Sequence, residues 1–227
     1  MSDAPEPLPP LSPARKAWRF FCLLLRPMIA RKLGTLVTEG YLADSGWVRS
    51  VAEARVVDAA GAPLPWATLP FVDFVAPRLR SGWTVFEYGA GASTLFYASR
   101  VRAVVAVEHN ERFAAELRPR LPSNVQVLVR EKDAVDYCEA VKNCDVRPVL
   151  VSVDGEDRNR CVSAAIRGMS DDGVLVLDDA DRPEYRLAHE ILTGAGFRSV
   201  EFWGLAPGMV TRKCTTVFYR RDNVLGL

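Results

Sequence analysis

The chain has 227 residues, of which 49% are hydrophobic and 25% charged, a composition typical of a globular protein with one substantial core. Its 29 basic side chains nearly balance 28 acidic ones, so the basic excess typical of nucleic-acid binding is missing and we expect no nucleic-acid partner. The five cysteines form no CxxC pair, and we interpret them as reduced, mostly buried thiols of a cytoplasmic protein.

The N-terminal region opens with a proline-rich stretch, residues 1–13, which predicts a disordered or extended tail. An apolar run from Trp18 to Leu25 follows, interrupted by Arg19 and far shorter than the ~20 residues that span a bilayer. Two interpretations stay open. The favoured one is a helix that packs on the body of the protein or on a second subunit of an oligomer. The other is peripheral membrane contact through residues 15–33, which basic side chains flank.

Residues 14–83 as a whole predict a helical extension that forms a lid before the core domain. The apolar residues between Leu69 and Leu79 have helical spacing, and this helix should end near Pro77. Three aromatic side chains of the extension have two interpretations, closure over a substrate or packing within the lid: Tyr41, Trp47 and Trp66.

From residue 84 to residue 227, short β-rich runs alternate with amphipathic helices, which predicts a largely parallel α/β sheet covered on both faces. The predicted strands are residues 84–88, 103–108, 125–129, 149–153, 174–178, 199–203 and 215–219. The predicted helices are residues 93–100, 111–121, 134–142, 158–169 and 183–195. Only a loop separates the last two strands, which indicates a closing antiparallel pair.

The first predicted strand runs into a glycine turn in residues 85–94, VFEYGAGAST. Glycines let the chain turn tightly and let a ligand approach the backbone, and the following hydroxyl side chains can cap a helix. The third glycine of a dinucleotide-binding turn is replaced by Thr94. The residues that we expect to contact a nucleotide here are Gly89, Ala90, Gly91 and Ser93.

Two carboxylates frame this turn and indicate the ligand. Glu87 lies just before it, where a carboxylate suits the amine and sulfonium of S-adenosylmethionine better than a diphosphate. Glu108 ends the second strand 19 positions after Gly89. In dinucleotide-binding folds, an acidic residue about 20 positions after the glycine turn holds the ribose hydroxyls, and Glu108 matches this spacing. A solvated strand end is the other interpretation of Glu108. His109 either touches the adenine or is a bystander.

The third strand leads into Asp133 at the start of a predicted helix. An aspartate there can cap the helix, and its oxygen can also accept a hydrogen bond from the adenine amine. The two roles are compatible.

Taken together, E-x-G-x-G-x-S/T at residue 87, V-E-H at residue 107 and the acidic residue after the third strand resemble the class I S-adenosylmethionine-dependent methyltransferases over residues 84–219. Within that superfamily, the sequence is similar to a bacterial group of poorly defined substrate. The shared segments are GYL…SGW…S, P-x-P-W, D-D/N-x-D-R and FWG…P…C-T-x-x-FYR. The resemblance implies a Rossmann-like, doubly wound sheet of order 3-2-1-4-5-7-6 with strand 7 antiparallel.

An acidic cluster follows the fourth and fifth strands, at Asp154, Asp178 and Asp179. The resemblance to catechol-type O-methyltransferases suggests a divalent metal site, since oxygen ligands suit Mg²⁺ or Ca²⁺. The second interpretation is a metal-free site in which Asp154 is the catalytic base or holds the substrate. The third is ion pairing with arginines on the same rim, which alternatively bind an anionic substrate: Arg158, Arg160 and Arg182.

We therefore expect an S-adenosylmethionine-dependent methyltransferase that acts on a small molecule or glycan, at oxygen. A metal-dependent O-methyltransferase and a non-catalytic S-adenosylmethionine-binding domain are the alternatives. A nicotinamide enzyme is disfavoured by Glu87 and by the missing third glycine.

Overall fold

The computed structural model describes residues 10–132 and 134–227, and the chain divides into two compact units, one ending at Asp44 and one running from Ser45 to Leu227. The helices of the first unit are α1 (Pro13–Leu24), α2 (Pro27–Thr38) and α3 (Tyr41–Asp44). Most of the predicted tail, residues 1–9, lies outside the described residues. Each long helix begins at a proline, which is well suited to a first helical position because it lacks the N–H that would go unpaired there. Within the described ranges, no helix is long and apolar enough to cross a membrane.

The second unit begins with α4 (Trp47–Glu53) and α5 (Leu69–Val75), and a 3₁₀ turn over Ala76–Arg78 continues α5. The α5 helix was predicted from its apolar stripe, and it buries that stripe against the sheet, with Phe71 fully inaccessible. Residues 45–83 thus lie in the same compact unit as the sheet. Their action as a lid stays a prediction.

Seven strands of the described chain form one sheet of order β3-β2-β1-β4-β5-β7-β6. They are β1 (Thr84–Tyr88), β2 (Ala103–Glu108), β3 (Val125–Val129), β4 (Leu150–Val153), β5 (Val174–Leu177), β6 (Arg198–Gly204) and β7 (Lys213–Tyr219). β7 is antiparallel to both of its neighbours, whereas the first five strands are parallel. The predicted strand order and the antiparallel seventh strand are confirmed.

Helices cover the sheet on both faces, because alternate residues of the buried strands point to opposite sides. Val85 packs with Phe71 and Phe96 on one face, and Phe86 packs with Tyr137 and Val162 on the other. The covering helices are α6 (Ala92–Ala98), α7 (Glu111–Leu117), α8 (Val135–Glu139), α9 (Arg158–Gly168) and α10 (Arg186–Gly194).

The strand order reverses between β1 and β4, and in open α/β sheets ligands bind beyond the carboxyl ends of the strands at such a point. Main-chain hydrogen bonds continue the sheet into the loops here. Gly89 donates to the carbonyl of Val107 at 2.8 Å, and Asp154 donates to that of Tyr88 at 3.1 Å. The glycine turn and the end of β4 therefore lie side by side.

Candidate active site

The glycine turn has the geometry that its sequence predicts. Gly89 has φ +93°, a conformation that L side chains rarely adopt. Gly155, after β4, approaches so closely that a Cβ on it would lie 2.9 Å from the Gly89 nitrogen. The hydroxyl of Thr94 accepts the N–H of Gly91 at 3.0 Å, so this residue braces the turn.

Glu87 is almost fully buried beneath the turn, with 2% of its surface exposed, and its Oε2 atom has no hydrogen-bond partner among the described residues. Burial raises the pKa of Glu87 to about 7, while hydrogen bonds from Ser93 and Thr94 oppose the shift. Ser93 thus contacts Glu87, and its predicted role in binding the cofactor stays a prediction. An unpartnered buried oxygen costs free energy unless a ligand satisfies it.

Glu108 ties the turn to the second strand. Its Oε2 accepts the N–H of Ala90 at 3.2 Å, and its Oε1 accepts the N–H of Asn110 at 2.8 Å. The Nδ1 atom of His109 lies 3.1 Å from Oε1. Each carboxylate oxygen has two lone pairs, so Oε2 can still accept one hydrogen bond from a ligand.

A cleft of about 320 Å³ opens beside Glu108 and the first residues of the glycine turn, within the size range of small-molecule sites. It is lined by Gly89, Ala90, Glu108, His109, Asp154, Gly155, Glu156, Asp157, Arg158, Arg182 and Tyr185. The structure thus brings five of the predicted site residues to one cleft, whereas Glu87, Gly91 and Ser93 are not among the residues that line it. Asp133 lies outside the described residues, so its adenine role stays a prediction. The N-cap residue of α8 is Ala134, so the prediction that Asp133 caps this helix is wrong.

Asp154 lies on the floor of the cleft with 40% of its side chain open. One of its oxygens receives Arg158 Nη2 at 2.9 Å. The pKa of Asp154 is raised, first because the surrounding protein removes water from the carboxylate and second because the charge of Asp178 is negative. A carboxylate that titrates above its usual range and faces a cleft is suited to accept a proton near neutral pH.

Asp178 and Asp179 differ from Asp154 because protein cations already hold them. The ammonium of Lys213, which begins β7, contacts Asp178 Oδ2, lies 2.7 Å from Asp179 Oδ1 and donates to the carbonyl of Trp66 at 3.2 Å. All three of its donors are used. Thr215 donates to Asp178 Oδ1 at 2.6 Å. Burial works to lower the pKa of Lys213, but Asp178 and Asp179 raise it, which keeps the ammonium charged.

Arg158 is a second buried cation, inserted between the loops after β4 and β5. It donates to the carbonyls of Gly155 at 3.1 Å and Asp178 at 2.5 Å, besides its ion pair with Asp154. Carboxylate atoms of Asp154, Asp178 and Asp179 lie within 4.8 Å of one another. Lys213 and Arg158 therefore neutralise much of a cluster that could otherwise attract a metal ion.

The other predicted arginines form ion pairs of their own. Arg182 contacts Asp179 at 2.6 Å with half of its side chain exposed, and Arg160 contacts Asp157 at 2.8 Å. Arg160 is therefore directed to the start of α9 and does not join the three-carboxylate cluster.

The aromatic residues that precede the core have different surroundings. The indole N–H of Trp47 donates to the carbonyl of Met209 at 2.7 Å, a contact typical of internal packing. Trp66 is 55% exposed, although its carbonyl binds Lys213. Tyr41 belongs to the first unit and is half exposed.

Sequence reasoning missed Lys213 and Thr215. Lys213 follows Arg212 at the end of a loop, where a lysine is usually solvated, and nothing local shows that β7 carries it inward beside β5. The pair of threonines at the start of an otherwise apolar strand was the available signal, because buried hydroxyl groups need polar partners.

No protein-family model and no curated protein matches the chain. Solved structures do match its fold. The O-methyltransferase TomG from Streptomyces achromogenes, solved with S-adenosylmethionine, has a TM-score of 0.54 at 17% identity, over 80% of this chain and 91% of that one. Precorrin-6y C5,15-methyltransferase from Geobacter metallireducens has a TM-score of 0.52 at 16% identity, over 67% of this chain and 87% of that one.

A precorrin-8w decarboxylase from Methanobacterium thermoautotrophicum gives a TM-score of 0.52 at 19% identity, over 74% of this chain and 97% of that one. At these identities the likeness establishes the fold. The chain has the Rossmann-like fold of class I S-adenosylmethionine-dependent methyltransferases, so the fold that the sequence resemblance implies is confirmed. Of the three, TomG is the one described with the methyl donor bound.

Proposed function

We propose that the protein is an S-adenosylmethionine-dependent methyltransferase that acts on a small molecule or glycan, at oxygen. The observation that carries the proposal is the unpartnered, buried Oε2 of Glu87, directly beneath a glycine turn on a methyltransferase fold. An ammonium group of the cofactor would supply the missing donors and neutralise the buried charge.

The residues present fit the cofactor in three places. Glu87 suits its cationic amino-acid portion, the backbone of Gly89 to Gly91 allows close approach, and the free acceptor on Glu108 suits a ribose hydroxyl. When bound, S-adenosylmethionine supplies an electrophilic methyl group on a sulfonium. The protein then has to orient the acceptor, exclude water and take up the acceptor's proton.

We assign the proton-accepting role to Asp154. Among the carboxylates of the acidic cluster, this side chain combines a 40% open surface on the cleft with a raised pKa. Arg158 fixes one of its oxygens at 2.9 Å, so the carboxylate is held in place before an acceptor arrives. Asp154 would take up the proton of a hydroxyl acceptor, whose oxygen would gain the methyl group as the carbon–sulfur bond of the sulfonium breaks and a neutral thioether leaves.

The reaction that we propose is metal-independent. A divalent ion between Asp178 and Asp179 would have to displace a lysine whose three donors are all engaged. It would also meet the positive charge of Arg158 on its other side. EDTA treatment should leave turnover and cofactor affinity unchanged, whereas a loss that Mg²⁺ restores would establish the metal-dependent alternative.

Two side chains are candidates for contacts with a polar ring-shaped acceptor such as a sugar. Trp66 does not line the cleft, but it exposes 55% of its surface, its carbonyl accepts a hydrogen bond from Lys213, and aromatic faces suit flat groups. Arg182 lines the cleft with 51% of its side chain open, where it suits an anionic substituent.

The test is transfer of a labelled methyl group to a panel of sugars, sugar phosphates and phenols. With an accepted substrate, Asp154→Asn should lower turnover by about 10²-fold or more, as loss of a general base does, while affinity for S-adenosylhomocysteine stays within about twofold. Asp171→Asn, on a fully exposed side chain, is the matched control.

Tight cofactor binding with no transfer to any acceptor would favour the non-catalytic alternative. Unchanged turnover in Asp154→Asn would remove this residue from the reaction but leave the cofactor site intact.

A further inference from the structure

The helical unit that ends at Asp44 has an unusually large apolar surface. On α1, Trp18, Phe20 and Phe21 are 65%, 65% and 52% exposed, and Leu25 just beyond the helix is 67% exposed. On α2, the exposed apolar side chains are Met28, Ile29, Leu33, Leu36 and Val37. No described side chain of α1 or α2 is buried. Soluble proteins rarely expose a contiguous apolar surface of this kind without a partner for it.

Most of these apolar residues share one side of each helix. At 100° per residue, Trp18, Phe21 and Leu25 fall on one arc of α1, whereas Lys16, Arg19 and Phe20 fall on the other. On α2, Ile29, Leu33, Leu36 and Val37 fall on one arc and Arg31 lies opposite it, whereas Lys32 and Met28 lie between the two. Both helices are therefore amphipathic, with a basic polar face.

The charge of this segment has one sign. Between Pro10 and Thr38 there are six basic side chains and no acidic one: Arg15, Lys16, Arg19, Arg26, Arg31 and Lys32. The rest of the chain offsets this excess, because the whole protein carries a net charge of +1. The basic residues are thus concentrated beside the apolar surface.

These observations limit what can cover the surface. A 12-residue helix is about 18 Å long, too short for the ~30 Å hydrocarbon core of a bilayer. A second copy of the chain would bring its own six cations against these six. An anionic membrane surface offers acyl chains to the apolar face of each helix and negative headgroups to the basic face. Amphipathic helices of this composition bind in the plane of such an interface.

We propose that α1 and α2 bind the surface of a membrane that contains anionic lipid, with Trp18, Phe21 and the apolar side of α2 inserted below the headgroups. The basic side chains then lie at the level of the lipid phosphates. This inference stands apart from the proposed methyl transfer and does not depend on it.

Vesicle sedimentation with the full chain tests the proposal. Phosphatidylcholine vesicles with about a third phosphatidylglycerol should pull the protein down at low salt, with affinity about tenfold or more above that for pure phosphatidylcholine. Raising the salt concentration should weaken the binding, because exposed charges are screened. No sedimentation with anionic vesicles at low salt, or equal binding to both vesicle types, would overturn the proposal.

Three variants separate the contributions. A double variant, Trp18→Ser with Phe21→Ser, removes apolar side chains that would insert below the headgroups. A triple variant, Arg15→Gln with Lys16→Gln and Arg19→Gln, removes three positive charges. Each set should weaken vesicle binding about tenfold or more. Arg112→Gln, on a 90% exposed side chain of α7, should bind vesicles like the parent. A circular dichroism spectrum and a urea-unfolding midpoint like those of the parent show in each case that the protein is folded.

The oligomeric state without lipid completes the test. The proposal predicts a monomer in dilute detergent-free solution whose mass does not change in Trp18→Ser with Phe21→Ser. A dimer that these substitutions dissociate, with no binding to anionic vesicles, would show that a second copy covers the surface instead.

Discussion

Two buried carboxylates at the same edge of the sheet have opposite surroundings. Asp178, after β5, is bound by Lys213 and Thr215, so both of its oxygens are satisfied within the protein. Glu87, at the end of β1, has one oxygen with no partner among the described residues. Burial raises the pKa of both groups.

The difference distinguishes a structural role for Asp178 from a ligand-binding role for Glu87. A buried carboxylate with a full set of partners stabilises the loops around it, and its removal is a question of folding. A buried carboxylate that lacks a donor destabilises the free protein and gains from a cationic ligand. The Lys213 cluster and the Glu87 site should therefore respond to substitution in opposite ways.

The largest expected effect is on the Lys213 cluster. Lys213→Met leaves Asp178 and Asp179 without their buried cation and should lower the free energy of unfolding by about 3–5 kcal/mol. Urea unfolding measures it, with Lys142→Met as the matched control, since Lys142 is 62% exposed. The control should change stability by less than about 0.5 kcal/mol. A loss below about 1 kcal/mol in Lys213→Met would contradict the structural role of the cluster.

Glu87→Gln should stabilise the protein at alkaline pH. The carboxyl has a pKa of about 7 in the folded state and 4.5 as its ordinary value, so the folded chain binds more protons between these limits. The stability that proton binding to Glu87 gives the folded protein is therefore lost as pH rises from about 4.5 to 7. The glutamine stays neutral, and its advantage over wild type should grow by about 3 kcal/mol from pH 4.5 to pH 8.

Urea unfolding at several pH values measures this advantage. Glu116→Gln, on a 63% exposed side chain, should follow the wild type throughout. If Glu87→Gln also follows the wild type at every pH, the carboxylate is not the destabilised group that the structure shows.

A smaller effect is expected at the ribose end of the cleft. Glu108→Ala removes a charged acceptor and should weaken S-adenosylhomocysteine binding by about 1.5–3 kcal/mol in calorimetry. Glu111→Ala, three positions on and exposed at the start of α7, should bind normally. Unchanged affinity in Glu108→Ala would leave Glu108 only its contacts with Ala90 and Asn110.

Much of the fold follows from local sequence. The apolar runs of β1 and β2 have the bounds that their patterns predict, because strands buried on both faces are continuous apolar segments between turn residues. The glycine turn, Glu87 and Glu108 follow from the same local logic, since strand, turn and helix are consecutive in the chain.

The remainder depends on contacts between residues that are distant in sequence. Lys213 reaches Asp178 across 35 positions because β7 inserts antiparallel beside β5. The Oε2 atom of Glu87 has no hydrogen-bond partner because none of the described side chains around it reaches it. A sequence does not show which side chains lie within reach of a buried atom. The sequence alone therefore leaves three interpretations of the acidic cluster open.

The most direct test of the central claim is a calorimetric titration with S-adenosylhomocysteine and, separately, with NAD. The structure predicts that S-adenosylhomocysteine binds and that its affinity rises about tenfold from pH 6 to pH 8 as Glu87 ionises around its pKa of about 7. In Glu87→Gln that rise should disappear. Tight binding of NAD with no response to S-adenosylhomocysteine at either pH would contradict the proposed function.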